Sequence, residues 1–320
     1  MKFLQISVEN NLYLVPNFLI KMNKLLIVGT VAFDSIKTPF GEVDKILGGS
    51  GMYIGISSSI FNVNNAIVSV VGDDFPEEYL SILKNNKIDI SGIEVVKGGK
   101  TFFWEGLYHV NMNHRDTITT ELNVLADFNP IVPNNYKNAE IVLLGNLHPA
   151  IQLSVLEQMN SKPKLVILDT MNYWMDNSLD ELINVISKVD LLCINDQEAE
   201  QLTGENDLKI AAQKISELGP KFLIIKKGEF GSLIFSRDNY YNCPIYPTDN
   251  VKDPTGAGDT FAGGLAGYLA SCSEISFNEV KKGVMYGTAI ASYCIEDFGP
   301  NNIMNLDIDL IEQRVSKIKK

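Results

Sequence analysis

A chain of 320 residues, 45% of them hydrophobic, is long enough to bury one substantial core. Its formal charge of −12 repels nucleic-acid backbone and anionic membrane, so neither is expected as a partner. The four cysteines, at 193, 243, 272 and 294, stand far apart without a Cys-x-x-Cys pair; this argues against a disulfide framework or a zinc site and points to a reducing cytoplasm.

Residues 1–21 hold no sustained apolar run, so they read as neither a signal peptide nor a spanning helix. They are expected to be a peripheral N-terminal extension, with Met22 a candidate start and 22–320 a single domain. Residues 24–29 form a short apolar run ending in Gly29, a buried first strand, and lead through Thr30 to Asp34. Pro39, Gly41 and alternating apolar positions predict a small hairpin over 35–47. Gly48 and Gly49 then open an apolar helix that runs through Tyr53 to Phe61. A second buried strand, 66–71, ends in Gly72-Asp73-Asp74, whose carboxylates are placed to cap the helix predicted over 76–86. Residues 88–123 break the rhythm with Phe102, Phe103, Trp104, Tyr108 and a polar run from Asn111 to Thr117. His109 and His114 lack a third partner, so no metal site is assigned to them.

Strands over 140–144, 164–168, 190–194 and 222–226 alternate with helices over 150–160, 179–188 and 207–218. Such alternation implies a doubly wound α/β fold with a mainly parallel sheet flanked by helices. The binding crevice of such a sheet lies beyond the carboxyl ends of its strands. His148 falls at a strand-to-helix turn and has no evident role. Asn195 and Glu198 have the spacing of a capping box. Lys226, Lys227, Gly228 and Gly231 shape a turn between two strands, and adjacent lysines are most often a solvated turn.

The segment from Val251 to Gly264, Val-Lys-Asp-Pro-Thr-Gly-Ala-Gly-Asp-Thr-Phe-Ala-Gly-Gly, carries the chemistry. Gly256, Ala257 and Gly258 let backbone amides approach a ligand closely, and the buried helix from Thr260 aims unpaired amides and its dipole at the same place. That is an anion hole. Asp259 stands at its lip, where a carboxylate can take the proton of a hydroxyl lying beside bound phosphate; an ordinary helix cap is the competing reading. Phe261 occupies the place of the third glycine of a dinucleotide fingerprint, and no Gly-Lys-Ser/Thr follows, so this is neither a dinucleotide nor a Walker loop.

This string closely resembles the C-terminal signature of the ribokinase-like, or PfkB-type, carbohydrate kinases. The Gly48-Gly49 opening and the Asn195-x-x-Glu198 spacing are similar to other motifs of that family, in family order. The resemblance implies an ATP-dependent kinase, a phosphotransferase with an alcohol acceptor, in which Asp259 is the catalytic base. It implies acceptor binding by Asp34, Gly48 and Gly49. It puts Asn195, Glu198, Lys226, Gly228, Gly231 and Thr255 on the nucleotide and magnesium side; no direct protein ligand to the metal is assigned. ATP and Mg2+ are the implied cofactors, a monovalent cation a further candidate. The stretches at about 35–47 and 88–123 are expected to form a small β-sheet lid, through which a homodimer is conceivable. Tyr53 stands where the family often has a sugar-contacting asparagine. The expected acceptor is a sugar or sugar-like polyol, with a nucleoside as the alternative and a non-catalytic sugar- or nucleotide-binding protein as the less favoured one.

Overall fold

A computed structural model describes residues 3–8, 11–16, 23–112, 114–237 and 239–318. The hairpin β1 (Phe3–Val8) and β2 (Asn11–Pro16) pairs only with itself; the rest of 1–21 and Met22 lie outside the described residues. From β3 (Lys24–Val28) the chain passes to β4 (Ala32–Thr38), β5 (Gly41–Gly48), α1 (Ser50–Ser59), β6 (Asn64–Gly72), α2 (Glu77–Asn85) and β7 (Asp89–Val96). Next come β8 (Phe103–Tyr108), β9 (Arg115–Glu121), β10 (Ile141–Leu144), α3 (Pro149–Glu157), β11 (Leu165–Asp169), α4 (Asn172–Asn177) and α5 (Leu179–Ile186). β12 (Leu191–Asn195), α6 (Asp196–Thr203), α7 (Leu208–Glu217), β13 (Phe222–Lys226), β14 (Ser232–Ser236) and β15 (Asn239–Cys243) follow. The chain closes with α8 (Ala257–Ser271), α9 (Phe277–Cys294), α10 (Asn301–Met304) and α11 (Ile308–Ile318).

A nine-stranded sheet, ordered β15-β14-β13-β12-β11-β10-β3-β6-β7, forms the floor. Its pairs from β13 through to β7 are parallel, and β14 and β15 add an antiparallel edge. The central strands are apolar because both faces are covered. Leu25 and Ile27 of β3 pack with Tyr53, Leu265 and Val280 from α1, α8 and α9. Leu26 and Val28 face the other way, toward Val155, Leu182 and Ile215 from α3, α5 and α7. Each such fully buried side chain contributes about 1.5–3 kcal/mol. The parallel strands carry their C-termini to one edge: Gly29, Gly72, Gly145, Asp169, Asn195 and Lys226 end or follow β3, β6, β10, β11, β12 and β13 there.

A separate four-stranded sheet, ordered β5-β4-β8-β9, draws its strands from the two stretches that break the rhythm. It differs from the expected boundary at one place. Asp89–Val96 pairs in parallel with β6 and is the edge strand of the main sheet, so the insertion starts after it. The alternation of that strand was obscured by Ser91, Gly92 and Glu94, which suit a half-exposed edge. Asp73 and Asp74 do not cap α2, whose N-cap is Pro76. Asp73 accepts from the Gly98 amide at 2.7 Å, and Asp74 Oδ1 accepts from Thr101 N at 2.8 Å and Thr101 Oγ1 at 2.6 Å. They fasten the base of the smaller sheet to the larger one.

Helices α1 and α8 lie against each other at backbone distance. A Cβ on Gly263 would stand 2.1 Å from Ser57 Oγ and 2.6 Å from the Ile54 carbonyl oxygen, and one on Gly267 would stand 2.8 Å from Ser58 Cα. Gly263→Val is therefore expected to push the helices apart and destabilise the protein by about 1–3 kcal/mol or more. Thermal melting measures this; an unchanged midpoint would show that the interface absorbs the bulk.

Candidate active site

The N-terminus of α8 opens at the C-terminal edge of the main sheet. Its N-cap is Gly256, with φ +74°, a left-handed conformation that favours glycine. A Cβ there would also meet the Tyr53 ring at 2.5 Å. Asp259 is thus the third residue of the helix and not its cap. The Ala257 amide donates to the Pro254 carbonyl at 3.2 Å. The amides of Gly256, Gly258 and Asp259 have no backbone partner among the described residues, so they, and not that of Ala257, are the free amides of this turn.

Asp34 sits on β4 of the smaller sheet, and its carboxylate lies against Gly48. A Cβ on Gly48 would fall 2.1 Å from Asp34 Oδ2, so only glycine leaves room for it. The Gly49 amide donates to the same oxygen at 3.4 Å. Burial pushes the Asp34 carboxyl up to about 7, with the Gly49 amide partly opposing and the Asp253 charge adding to the rise. Asp259 is also lifted to about 7, first by burial and then by the charge of Asp169, while Lys226 pulls it down and Asp34 adds to the lift. The structure thus brings Asp34 and Asp259 within electrostatic reach of each other. A helix dipole alone would keep Asp259 ionised well below neutrality; loss of water and neighbouring carboxylates outweigh it.

On the other side, Asn195 caps α6 in a reciprocal capping box: its Oδ1 accepts from Glu198 N at 2.8 Å and Glu198 Oε2 accepts from Asn195 N at 2.8 Å. Glu198 is buried and pushed up to about 7 by that burial, against the pull of Lys226. Lys226 Nζ donates to Asp169 Oδ1 at 2.8 Å. Burial works against the lysine's charge, but Asp169, with Cys193 and Glu198, more than offsets it and holds the ammonium above its ordinary value. Gly228 and Gly231 have φ +53° and +80° in the turn after β13. Thr255 Oγ1 donates to Tyr108 OH at 3.1 Å, and its amide donates to Asp253 Oδ1 at 2.8 Å.

Several residues escape a reading of the sequence. Asp169 ends an apolar strand at the crevice, a signal comparable to that of Asn195 at the end of the next strand. Tyr108 and Arg115 are register partners on β8 and β9, and Asp34 and Trp104 on β4 and β8. Side chains alternate along a strand, so Trp104, Gly106 and Tyr108 share the face that reaches Thr255, and Asp34 shares it too. A Cβ on Gly106 would stand 2.1 Å from Trp104 Cη2; the missing side chain lets the indole lie across the strand. The Arg115 guanidinium lies 5.4 Å from that ring's centroid and bears electrostatically on Asp34, Glu198 and Asp259. Tyr53 is 1% exposed, which removes it from the list of side chains able to stack on a ligand. His148 caps α3, accepting from the Ala150 amide, and its ring packs edge-on against Trp174. No cluster of three or more His, Cys, Asp or Glu suited to a metal occurs among the described residues.

The segment from 22 to 307 matches the pfkB family carbohydrate kinases. The chain belongs to this family. Its members transfer phosphoryl groups to hydroxyl acceptors. The chain is 31% identical over 254 residues to a cytidine kinase of Thermococcus kodakarensis, covering 77% of this chain and 89% of that one. It is 25% identical to the crystallised nucleoside kinase of Methanocaldococcus jannaschii, an archaeal member of the ribokinase family, with a TM-score of 0.75 and 93% and 99% of the two chains covered. The fold is also that of a ribokinase II of E. coli solved with ATP and magnesium, at 18% identity, a TM-score of 0.77 and coverage of 92% and 100%. Among the described residues no helix is long and apolar enough to cross a membrane.

The raised carboxyls make a test of the ligand-free protein. A group whose folded pKa lies above its unfolded value gives stability that is full below the unfolded pKa and lost as pH rises through the folded one. For Asp259 that window runs from about 4 to about 7. Asp259→Asn should therefore melt close to wild type at pH 4 and higher than wild type at pH 8, at roughly 2–4 °C for each kcal/mol relieved. Equal differences at both pH values would show that Asp259 is not held near neutrality.

Proposed function

We propose that the protein transfers the γ-phosphoryl group of ATP to a hydroxyl of a nucleoside. The observation that carries the acceptor is Trp104: its indole reaches across to Gly106, whose lack of a side chain makes room for it, on the same face of the smaller sheet as its register partner Asp34. An aromatic plane suits a base, and a buried carboxylate suits the adjacent hydroxyls of a ribose. The names of the cytidine and nucleoside kinases favour the same reading over the sugar or polyol expected from sequence.

In this reading Asp34, with Gly48 and Gly49, orients the acceptor, and Asp259 takes the hydroxyl proton. A base with a pKa near the working pH combines availability with proton affinity, which an ordinary carboxylate lacks. The free amides of Gly256, Gly258 and Asp259 hold charge on the phosphoryl group, so positioning and electrostatics do the chemistry. Gly228 and Gly231 shape the nucleotide side. Asn195 and Glu198 fit magnesium held through waters: Glu198 is a buried carboxylate whose Oε1 has no protein donor among the described residues. The metal supplies neutralisation of the triphosphate charge. A monovalent cation is assigned no ligands, because the buried Asp253 spends its oxygens on the amides of Thr255 and Gly299. Val110, Ile118 and Phe40 are exposed on and beside the smaller sheet and offer the apolar surface a dimer through it would use.

Residues 1–21 we take as peripheral to the kinase domain. A protein starting at Met22 should keep the melting temperature and turnover of the full chain; a folded truncation without activity would place the segment in the enzyme. The decisive experiment is a panel of nucleosides, sugars and polyols assayed for ADP release with wild type and Asp259→Asn. Nucleosides should be turned over best, and Asp259→Asn should lower turnover by ~10²–10⁴-fold, the range for a positioned base. Preference for a free sugar would overturn the acceptor, and near-normal turnover by Asp259→Asn would overturn the mechanism.

A further inference from the structure

Lys226 and Asp169 form a pair that the fold does not need. They end β13 and β11, which β12 separates, and β12 already joins them by parallel ladders on both sides. A buried ion pair adds little net stability, since desolvation offsets most of the attraction. The lysine stem nevertheless reaches across the end of β12 to place Nζ 2.8 Å from Asp169 Oδ1, with the two side chains 21% and 8% exposed. The other N–H groups of the ammonium have no protein acceptor among the described residues. Their surroundings are defined by the anion hole: a Cβ on Gly258 would stand 3.3 Å from Nζ, closer than to any other atom around it.

We propose that Lys226 is the cation that contacts the phosphoryl group in transit, and that Asp169 positions it beside the hole. The proposal rests on the kinase reading above. Gly258 is the neighbour of Asp259, so charge held at that end of the loop belongs to the group being transferred. An oxygen bound by the free amides of Gly258 and Asp259 comes within reach of Nζ without breaking the bond to Asp169, which uses one of three donors. Asp34, Asp169, Glu198 and Asp259 already crowd the site with carboxylates, and a triphosphate adds more negative charge. Lys226 is the cation placed against the hole itself. As the acceptor oxygen bonds to phosphorus and the bond to the departing ADP breaks, the proton passes to Asp259. Lys226 keeps its own proton throughout and follows the phosphoryl oxygens.

Calorimetry of the full-length protein with MgATP and with MgADP, which needs no acceptor, tests this. Lys226→Met should weaken MgATP by about 10- to 100-fold, the effect of a lost charge-assisted hydrogen bond, and leave MgADP within about twofold. Lys226→Arg should restore part of the loss. Since Lys226→Met strands a buried carboxylate, the double variant Lys226→Met/Asp169→Asn is the folding-safe comparison and should show the same loss of ATP preference. On the accepted substrate, Asp169→Asn alone should lower kcat about tenfold with the acceptor KM unchanged, and should lower it no further in the Lys226→Met background. Equal weakening of ATP and ADP would overturn the proposal, as would a lower melting temperature with the ATP preference intact, or an Asp169→Asn effect independent of Lys226. A wild type that binds neither nucleotide sinks the kinase reading and this proposal together; a wild type that binds both, beside a Lys226→Met that loses both equally, sinks this proposal alone.

Discussion

Two helices pack so closely that their backbones touch, and the site is a consequence. Glycines 263 and 267 on α8 sit against Ile54, Ser57 and Ser58 on α1, where no side chain would fit. This brings the two helix N-termini together at one edge of the sheet. One begins with the Gly48-Gly49 turn that holds Asp34, the other with Gly256 and its free amides. The Tyr53 ring, one turn into α1, packs so close to Gly256 that no Cβ would fit there. Separation of the helices would carry the Gly48-Gly49 turn away from the Gly256 turn.

The second constraint is electrostatic. Burial raises Asp34, Glu198 and Asp259 toward neutrality together, and each raised group reports charge brought close without enough countercharge. A fold selected for stability alone would dilute these carboxylates or replace them. Strain of this kind clusters where a ligand is to supply what is missing. The same burial that costs the protein stability holds Asp259 near neutrality.

Much of the arrangement was legible. Apolar runs such as Leu25 to Val28 and Leu191 to Ile194 announce buried parallel strands, and the small residues around Asp259 announce an amide cradle. Hydrogen-bond partners and strand register were not legible. The spacing of Asn195 and Glu198 identified a capping box, whereas nothing around Asp73 and Asp74 told a helix cap from a clasp on the 98–101 loop. Asp89–Val96 lacks the apolar continuity of a central strand because it is an edge, and so merged with the insertion behind it. Arg115 and Trp104 acquire meaning only from the β4–β8–β9 register, which no local pattern encodes. The Ala257 amide looked available because a small-residue turn does not reveal its own internal bonds.

That register also explains how two sheets act as one site. β4 carries Asp34 into the smaller sheet, and β8 carries Trp104 and Tyr108 on the same face. Tyr108 accepts from the Thr255 hydroxyl, in the loop that leads into the anion hole. The smaller sheet and the loop before α8 are therefore joined by a direct hydrogen bond between residues 147 positions apart. A hydroxyl in this setting is buried on both sides, so the bond is not one that water replaces cheaply. The position of the smaller sheet and the shape of the loop thus constrain each other. In the proposed kinase reading, a sheet fastened to that loop would help exclude the water that competes as phosphoryl acceptor.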